Sequence, residues 1–191
     1  MSTLIATNGN ITNGNITNVN TGTIKDSTGN TTAMTIDGGG RMTQPANPAF
    51  IAIATGSGWT SITTGADYAF PYNETRVNRG NNFNTSTYQW TAPIDCIMMF
   101  GFQAYMDANS ANYTRIKLYE NGSTLIHEQI TAAPEVDVPE GASQSQVMLD
   151  VTAGRTYQWK VEKNGTTAQV YLPASGTTQL RYCYCWGYMV A

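Results

Sequence analysis

The chain has one histidine, His127, and the residue after it is Glu128. General acid–base or nucleophilic catalysis needs an imidazole within reach of a nucleophile and of an orienting group. A lone histidine at the end of an expected strand reads as surface instead. A second group lies in Pro134-Glu135-Val136-Asp137-Val138-Pro139-Glu140, where Glu135, Asp137 and Glu140 alternate with apolar residues. Paired carboxylates serve glycosidases, and clustered carboxylates suit a hard cation. Prolines on both sides mark a loop, so the ordinary reading is solvated acidic surface, with a weak calcium site as the alternative. The three cysteines are Cys96, Cys183 and Cys185. Cys183 and Cys185 fall on one expected strand, point the same way and are badly placed to bond each other. They are expected to be free thiols, buried as small apolar groups. No Cys-x-x-Cys is present and His127 is remote in sequence, so no metal site is expected. Gly38-Gly39-Gly40 resembles a phosphate loop only superficially, because no Gly-Lys-Ser/Thr follows it. We therefore expect no catalytic residues, no cofactor and no enzymatic activity.

With reaction chemistry set aside, the question becomes what these residues are built to hold. The chain has 191 residues, a formal net charge of −3 and a sequence pI of about 5.0. That balance excludes the basic stripe a nucleic-acid partner demands. Charged residues make up 12% of the chain, against about 25% in ordinary soluble domains. Thr, Asn, Ser and Gly take their place, a composition that favours strands and turns over helices. No run approaches the roughly 18 apolar residues of a membrane helix, so no membrane insertion is expected. Met1-Ser2-Thr3-Leu4-Ile5-Ala6 lacks the basic and apolar regions of a secretory signal. The eight Asn-x-Ser/Thr sites, at Asn10, Asn15, Asn30, Asn73, Asn84, Asn112, Asn121 and Asn164, are accordingly expected to be unglycosylated. Cysteine usage fits a reducing cytoplasm.

Two regions follow from composition. Residues 1–47 contain no aromatic residue. Asn8-Gly9-Asn10-Ile11-Thr12 is repeated at once as Asn13-Gly14-Asn15-Ile16-Thr17, with looser echoes at Asn18-Val19-Asn20-Thr21 and Gly22-Thr23-Ile24. One apolar residue per repeat cannot build a core within one chain. Such a segment is either a disordered tail or a stalk in which three chains each contribute a thin row of Ile and Val to a common axis. We take the second reading, a β-rich stalk. Met34-Thr35-Ile36 and Arg41-Met42 read as short strands around the glycine turn, and Gln44-Pro45-Ala46-Asn47-Pro48 as a linker. Residues 48–191 read as strands and turns to the end. Strands are expected over 49–54, 87–91, 97–106, 115–119, 124–126, 146–151, 156–161 and 180–190. Turns fall at Asn121-Gly122, Ala153-Gly154 and Lys163-Asn164-Gly165. Eight to ten strands without helical periodicity mean a β-sandwich or barrel.

Two of these strands carry more apolar surface than a single sandwich can use. Between Ile97 and Met106 the even positions are Met98, Phe100, Phe102, Ala104 and Met106, and the odd ones Ile97, Met99, Gly101, Gln103 and Tyr105. The last strand sets Tyr182, Tyr184, Trp186 and Tyr188 against Cys183, Cys185, Gly187 and Met189. A sandwich strand turns one face to the core and the other to water. A second apolar face calls for another protein surface. We expect Met98, Phe100 and Phe102 in the core and a subunit seam at Ile97, Met99, Tyr105 and Met189. Trp59, Tyr68, Tyr72 and Tyr113 are the aromatics expected to be available to a ligand such as a host glycan or protein, since Tyr and Trp offer large rigid area at low entropic cost.

Several phrases in order carry a resemblance. They are Pro48-Ala49-Phe50, then Asn78 through Phe83-Asn84 to Trp90-Thr91-Ala92-Pro93-Ile94-Asp95, and Leu118-Tyr119-Glu120-Asn121-Gly122. Val147-Met148-Leu149 with Ala153-Gly154-Arg155, and Trp186-Gly187-Tyr188-Met189-Val190, complete the series. Over Pro48 to Val190 the chain resembles the globular heads of complement C1q and the tumour-necrosis-factor-like jelly rolls. Cys96 stands where that pattern has a glycine. The resemblance implies an all-β jelly-roll sandwich of about ten strands that forms a homotrimer about a threefold axis, and says little of the ligand. Met34-Thr35-Ile36-Asp37-Gly38 and Pro45-Ala46-Asn47-Pro48-Ala49-Phe50 resemble structural proteins of marine bacteriophages. That second resemblance implies a virion protein assembled in the host bacterial cytoplasm, a short fibre or spike joined to other virion proteins through residues 1–47. A capsid decoration protein and a bacterial surface or spore-coat adhesin head are the alternatives.

Overall fold

The computed structural model describes residues 23–25, 32–36, 38–44, 46–107, 111–132, 140–165, 169–175 and 182–190. The chain separates into two compact units, Met1–Pro45 and Ala46–Ala191. In the first, β1 (Thr23–Lys25), β2 (Thr32–Ile36) and β3 (Met42–Thr43) form a small antiparallel sheet. Ile36 lies opposite Met42 across the glycine turn, and Gly40 takes a left-handed φ of 76°, open to glycine at little cost. The Asn-Gly repeats lie outside the described residues.

The second unit is built from β4 (Ala49–Ile53), β5 (Gly58–Ser61), β6 (Tyr68–Ala69), β7 (Glu74–Asn78), β8 (Phe83–Asn84), β9 (Gln89–Thr91), β10 (Cys96–Asp107) and β11 (Ala111–Glu120). It continues with β12 (Thr124–Ala132), β13 (Glu140–Val151), β14 (Thr156–Gly165), β15 (Gln169–Leu172) and β16 (Tyr184–Met189). Seven strands make one antiparallel sheet in the order β5-β15-β10-β16-β4-β7, with β13 also paired to β10. Six make the other, β12-β11-β14-β9-β8, with β6 on β14. Consecutive strands repeatedly change sheet, as a jelly roll requires. The extra strands beyond the expected ten are short edge pieces such as β5, β6 and β8, too brief to show a period in sequence.

Alternation decides which side chains meet between the sheets. On β10, Met98, Phe100, Phe102, Ala104 and Met106 are all at most 3% exposed. Ile116 and Leu118 face them from β11, and Tyr157, Trp159 and Val161 from β14. Phe50, Phe83 and Trp90 stack with centroids 5.2 and 5.8 Å from Phe50, and Trp90 and Tyr157 close on Phe100. Gly187 lets Phe50 and Phe100 approach β16, since a Cβ there would sit 2.6 Å from the Phe50 ring.

Two expectations change. Lys163-Asn164-Gly165 is not a turn, because β14 runs through Gly165 with Lys163 opposite Thr114 and Asn164 opposite Tyr113. Ladder pairing with a long neighbour overrides a local Asn-Gly signal. The final strand begins at Tyr184, and Tyr182 and Cys183 form a bend before it. Asn121-Gly122 does form the hairpin turn between β11 and β12, with φ of 49° and 75°.

Candidate interaction surface

The sandwich has two outer faces of opposite chemistry. On the six-stranded sheet, register places Tyr113, Arg115, Lys117 and Tyr119 of β11 beside Lys160 and Glu162 of β14 and Glu128 of β12. Lys117 Nζ lies 2.8 Å from Asp67 Oδ1 and 2.6 Å from Glu162 Oε2. Tyr113 OH donates to Glu162 Oε1 at 3.0 Å, and Tyr119 OH to Asp67 Oδ2 at 2.6 Å. Arg115 and Lys160 sit over the Tyr113 and Tyr119 rings at 4.5 and 4.4 Å. Burial works against charge at Asp67 and Lys117, but the mutual bonds outweigh it. Lys117 is therefore held above its ordinary range and Asp67 below its own. The Lys117 bond is the leading reason that Glu162 is held low too. Arg115 lies 3.7 Å from Glu128 and 3.6 Å from Glu162, and Lys160 bonds the Gly122 carbonyl, so each of these cations is engaged within the same chain.

The seven-stranded sheet turns out a different row. Ile97, Met99, Gly101, Gln103 and Tyr105 of β10 face away from the core, with Met148 opposite Met99 on one side and Tyr188 on the other. Met148 is 59% and Tyr188 49% exposed. Trp186 lies opposite Gly101 and stacks on Tyr188, 5.7 Å between centroids. A Cβ at Gly101 would fall inside the Trp186 indole, so glycine is what lets the ring lie flat across the strand. Beyond it, Ala49, Ile51, Val77, Arg79, Trp186 and Tyr188 line a cleft of about 400 Å³. Toward the other end, Trp59, Tyr105, Tyr171 and Tyr182 form an aromatic cluster.

Ile97 and Met99 thus stand on the exposed apolar face, half-buried by their neighbours. Tyr105 continues their row, but it is half-buried with its inner edge against the core and joins the separate aromatic cluster. Met189 does not join them, because it pairs with Met98 and packs against the core. Among the ligand aromatics, Trp59 is exposed and Tyr68 half-buried, its ring edge-on to Phe70. Tyr113 is spent on Glu162 and Arg115. Tyr72 is fully buried beside Phe70 and Phe83, where no ligand reaches it, and burial raises its hydroxyl well above the usual range. Glu135 and Asp137 lie outside the described residues, and Glu140 opens β13. His127 is not plain surface, since its Nε2 is 2.8 Å from Ser145 Oγ, across the gap between the two sheets, and its ring meets Trp159 edge-on. Cys183 and Cys185 are free and buried, and burial pushes the Cys183 thiol up to about 12. The sequence reading missed the Asp67–Lys117–Glu162 bridge and the cleft that Arg79 helps to line. The one signal for the Trp186 packing was Gly101, a glycine in the middle of an apolar strand.

No family model matches the chain, and no curated protein matches it in sequence. Solved structures do match in shape. Eiger TNF from S. frugiperda is 11% identical with a TM-score of 0.56, covering 76% of this chain and 94% of its own. The globular domain of zebrafish complement 1qA protein is 12% identical with a TM-score of 0.52, over 75% of this chain and 98% of its own. Murine APRIL is 10% identical with a TM-score of 0.54, over 75% and 99%. The chain therefore carries an all-β jelly roll of the C1q and tumour-necrosis-factor type.

Proposed function

We propose that this chain is a non-enzymatic structural protein of a bacteriophage virion, a homotrimeric short fibre or spike. In this reading residues 1–47 join other virion proteins and the jelly roll faces outward toward the host surface. The observation that carries it is the apolar outer face of the seven-stranded sheet, where Ile97, Met99, Met148, Trp186 and Tyr188 are turned away from the core. A patch of that kind is covered by protein in the working state, and a threefold ring covers it on every copy at once. The trimer is also what the resemblance to C1q and tumour-necrosis-factor heads implies. The Asn-Gly repeats supply too little apolar surface to build a core alone, which suits a segment that is ordered by its partners.

Light scattering on the purified chain tests the assembly. Three chains of 20.7 kDa give about 62 kDa, and a monodisperse single chain would end the trimer reading. Deleting residues 1–44 should leave a head of unchanged oligomeric state that no longer enters particles. Incorporation at full occupancy would refute the anchoring role.

A further inference from the structure

The outer face of the seven-stranded sheet is not uniform along the strands. At the Cys96 end of β10, Ile97, Met99 and Met148 lie together beside Tyr188 and Trp186, with Asp150 opposite Ile97. At the Asp107 end the face changes to rings and amides. Trp59 of β5 lies opposite Tyr171 of β15, both turned outward with Tyr105. Centroids are 5.9 Å from Trp59 to Tyr105, 5.4 Å from Trp59 to Tyr171, and 4.7 Å from Tyr171 to Tyr182. Trp59 is 39% exposed although its ring is held by two neighbours. Planar polar groups border the rings and are themselves fixed. Gln103 Oε1 accepts from Gln144 Nε2 at 2.9 Å and from Tyr184 OH at 3.2 Å. Gln169 Nε2 donates to Ser61 Oγ at 3.4 Å. The residues named in this aromatic patch carry no ionisable group other than tyrosine, unlike the charged face across the sandwich.

From this arrangement we infer that Trp59, Tyr171 and Tyr105, with Gln103 and Gln169, form a binding platform for a neutral saccharide. The electron-rich ring faces meet the slightly positive C–H faces of a sugar, as they meet ring edges elsewhere in the protein. The amides and hydroxyls bordering them match sugar hydroxyls, and none of the residues named in the patch is a cation that would hold a phosphorylated or acidic glycan. A second copy of the chain is served better by the Cys96 end, where Ile97, Met99 and Met148 offer most of the aliphatic surface of the face. The inference rests on the head facing outward, and names the chemistry it would meet there.

The test is isothermal titration calorimetry of the full chain with maltohexaose, cellohexaose and chitohexaose, repeated on Trp59→Ala, Trp59→Phe and Met99→Glu. At least one hexasaccharide should bind saturably, with an affinity insensitive to salt. Trp59→Ala should weaken it by about tenfold or more, the scale of one lost ring stack, while Trp59→Phe retains part of the affinity. Binding unaffected by Trp59→Ala, or no binding of any of the three sugars, overturns the site. So does a fall in oligomeric mass caused by Trp59→Ala, which would assign the patch to the subunit seam. Failure of the trimer reading shows in mass alone and leaves sugar binding by the single chain to be scored separately.

Discussion

The two outer faces of this sandwich start from the same backbone pattern and end in opposite states. On the six-stranded sheet the outward positions of β11 and β14 carry ions, and a loop residue, Asp67, reaches in to close the network around Lys117. On the seven-stranded sheet the outward positions of β10 and β16 carry mainly methionine, isoleucine and aromatics, with Met148 of β13 beside them among Gln144, Gln146 and Asp150. The first face is completed within its own chain. The second is completed only by something else. What separates them is whether each outward group finds its partner at hand, and that criterion says more about function here than the fold does.

The sharpest way to break the comparison uses two neighbouring residues of β10. Phe100→Ala empties a core position that is 1% exposed, and should cost about 3–5 kcal/mol in urea unfolding. Met99→Glu changes the opposite side of the same strand. It should leave the unfolding free energy of the single chain nearly unchanged while dissociating the assembly, since it buries an unpaired charge at a packed seam. If Met99→Glu unfolds the chain, or leaves the mass untouched, the face is not a seam.

A smaller effect sharpens the description of the charged face. Lys117→Met removes the cation between Asp67 and Glu162 and strands two carboxylates in part-buried positions. The expected loss is about 1–3 kcal/mol, discounted because Asp67 is partly open to water, with no change in oligomeric mass. The loss should shrink in acid. Asp67 and Glu162 sit below their ordinary values of 3.8 and 4.5 when folded, so their contribution is complete above about pH 5 and fades as pH falls through the folded values. Equal losses at pH 7 and pH 3 would show that Lys117 acts by packing.

The smallest effect concerns the gap between the sheets. His127 faces Ser145, Trp159 and Leu118, none of them charged. Burial lowers its folded pKa below 6.5. The fold therefore holds it neutral, and stability should decline as pH falls through about 6.5, levelling off below the folded value. His127→Gln should remove that step from a plot of urea midpoint against pH. A step that persists belongs to another group.

Much of this was legible in the residues, and the failures have physical causes. The alternation from Ile97 to Met106 predicted the inward and outward rows of β10 because a twelve-residue strand leaves no room for a register slip. Asn121-Gly122 predicted its hairpin because both residues accept positive φ. Tyr72 was misplaced because a tyrosine between a proline and an asparagine looks like loop surface. Only the path of the chain between the sheets sets it against Phe70 and Phe83. Met189 was grouped with the seam because the last strand is apolar on both faces, and its pairing with Met98 sets it on the inward row instead. The Lys117 network was invisible for a different reason. Its partners lie 50 and 45 positions away in the chain, and alternating charge on a strand looks the same whether it meets water or a loop.

Gly101 and Trp186 also constrain how this surface can change over generations. The ring occupies the space that any side chain at position 101 would need. A side chain at 101 therefore requires the indole to move off the strand or position 186 to be reduced first. The order of the two changes is fixed even though their sum is not. Lineages that keep the indole inherit a rigid aromatic shelf on the outer sheet and lose the freedom to recolour the strand beneath it. Lineages that give it up can diversify position 101, and regain the indole only after glycine is restored there. A single missing carbon thus divides the reachable variants of this face into two populations joined only by an ordered pair of changes.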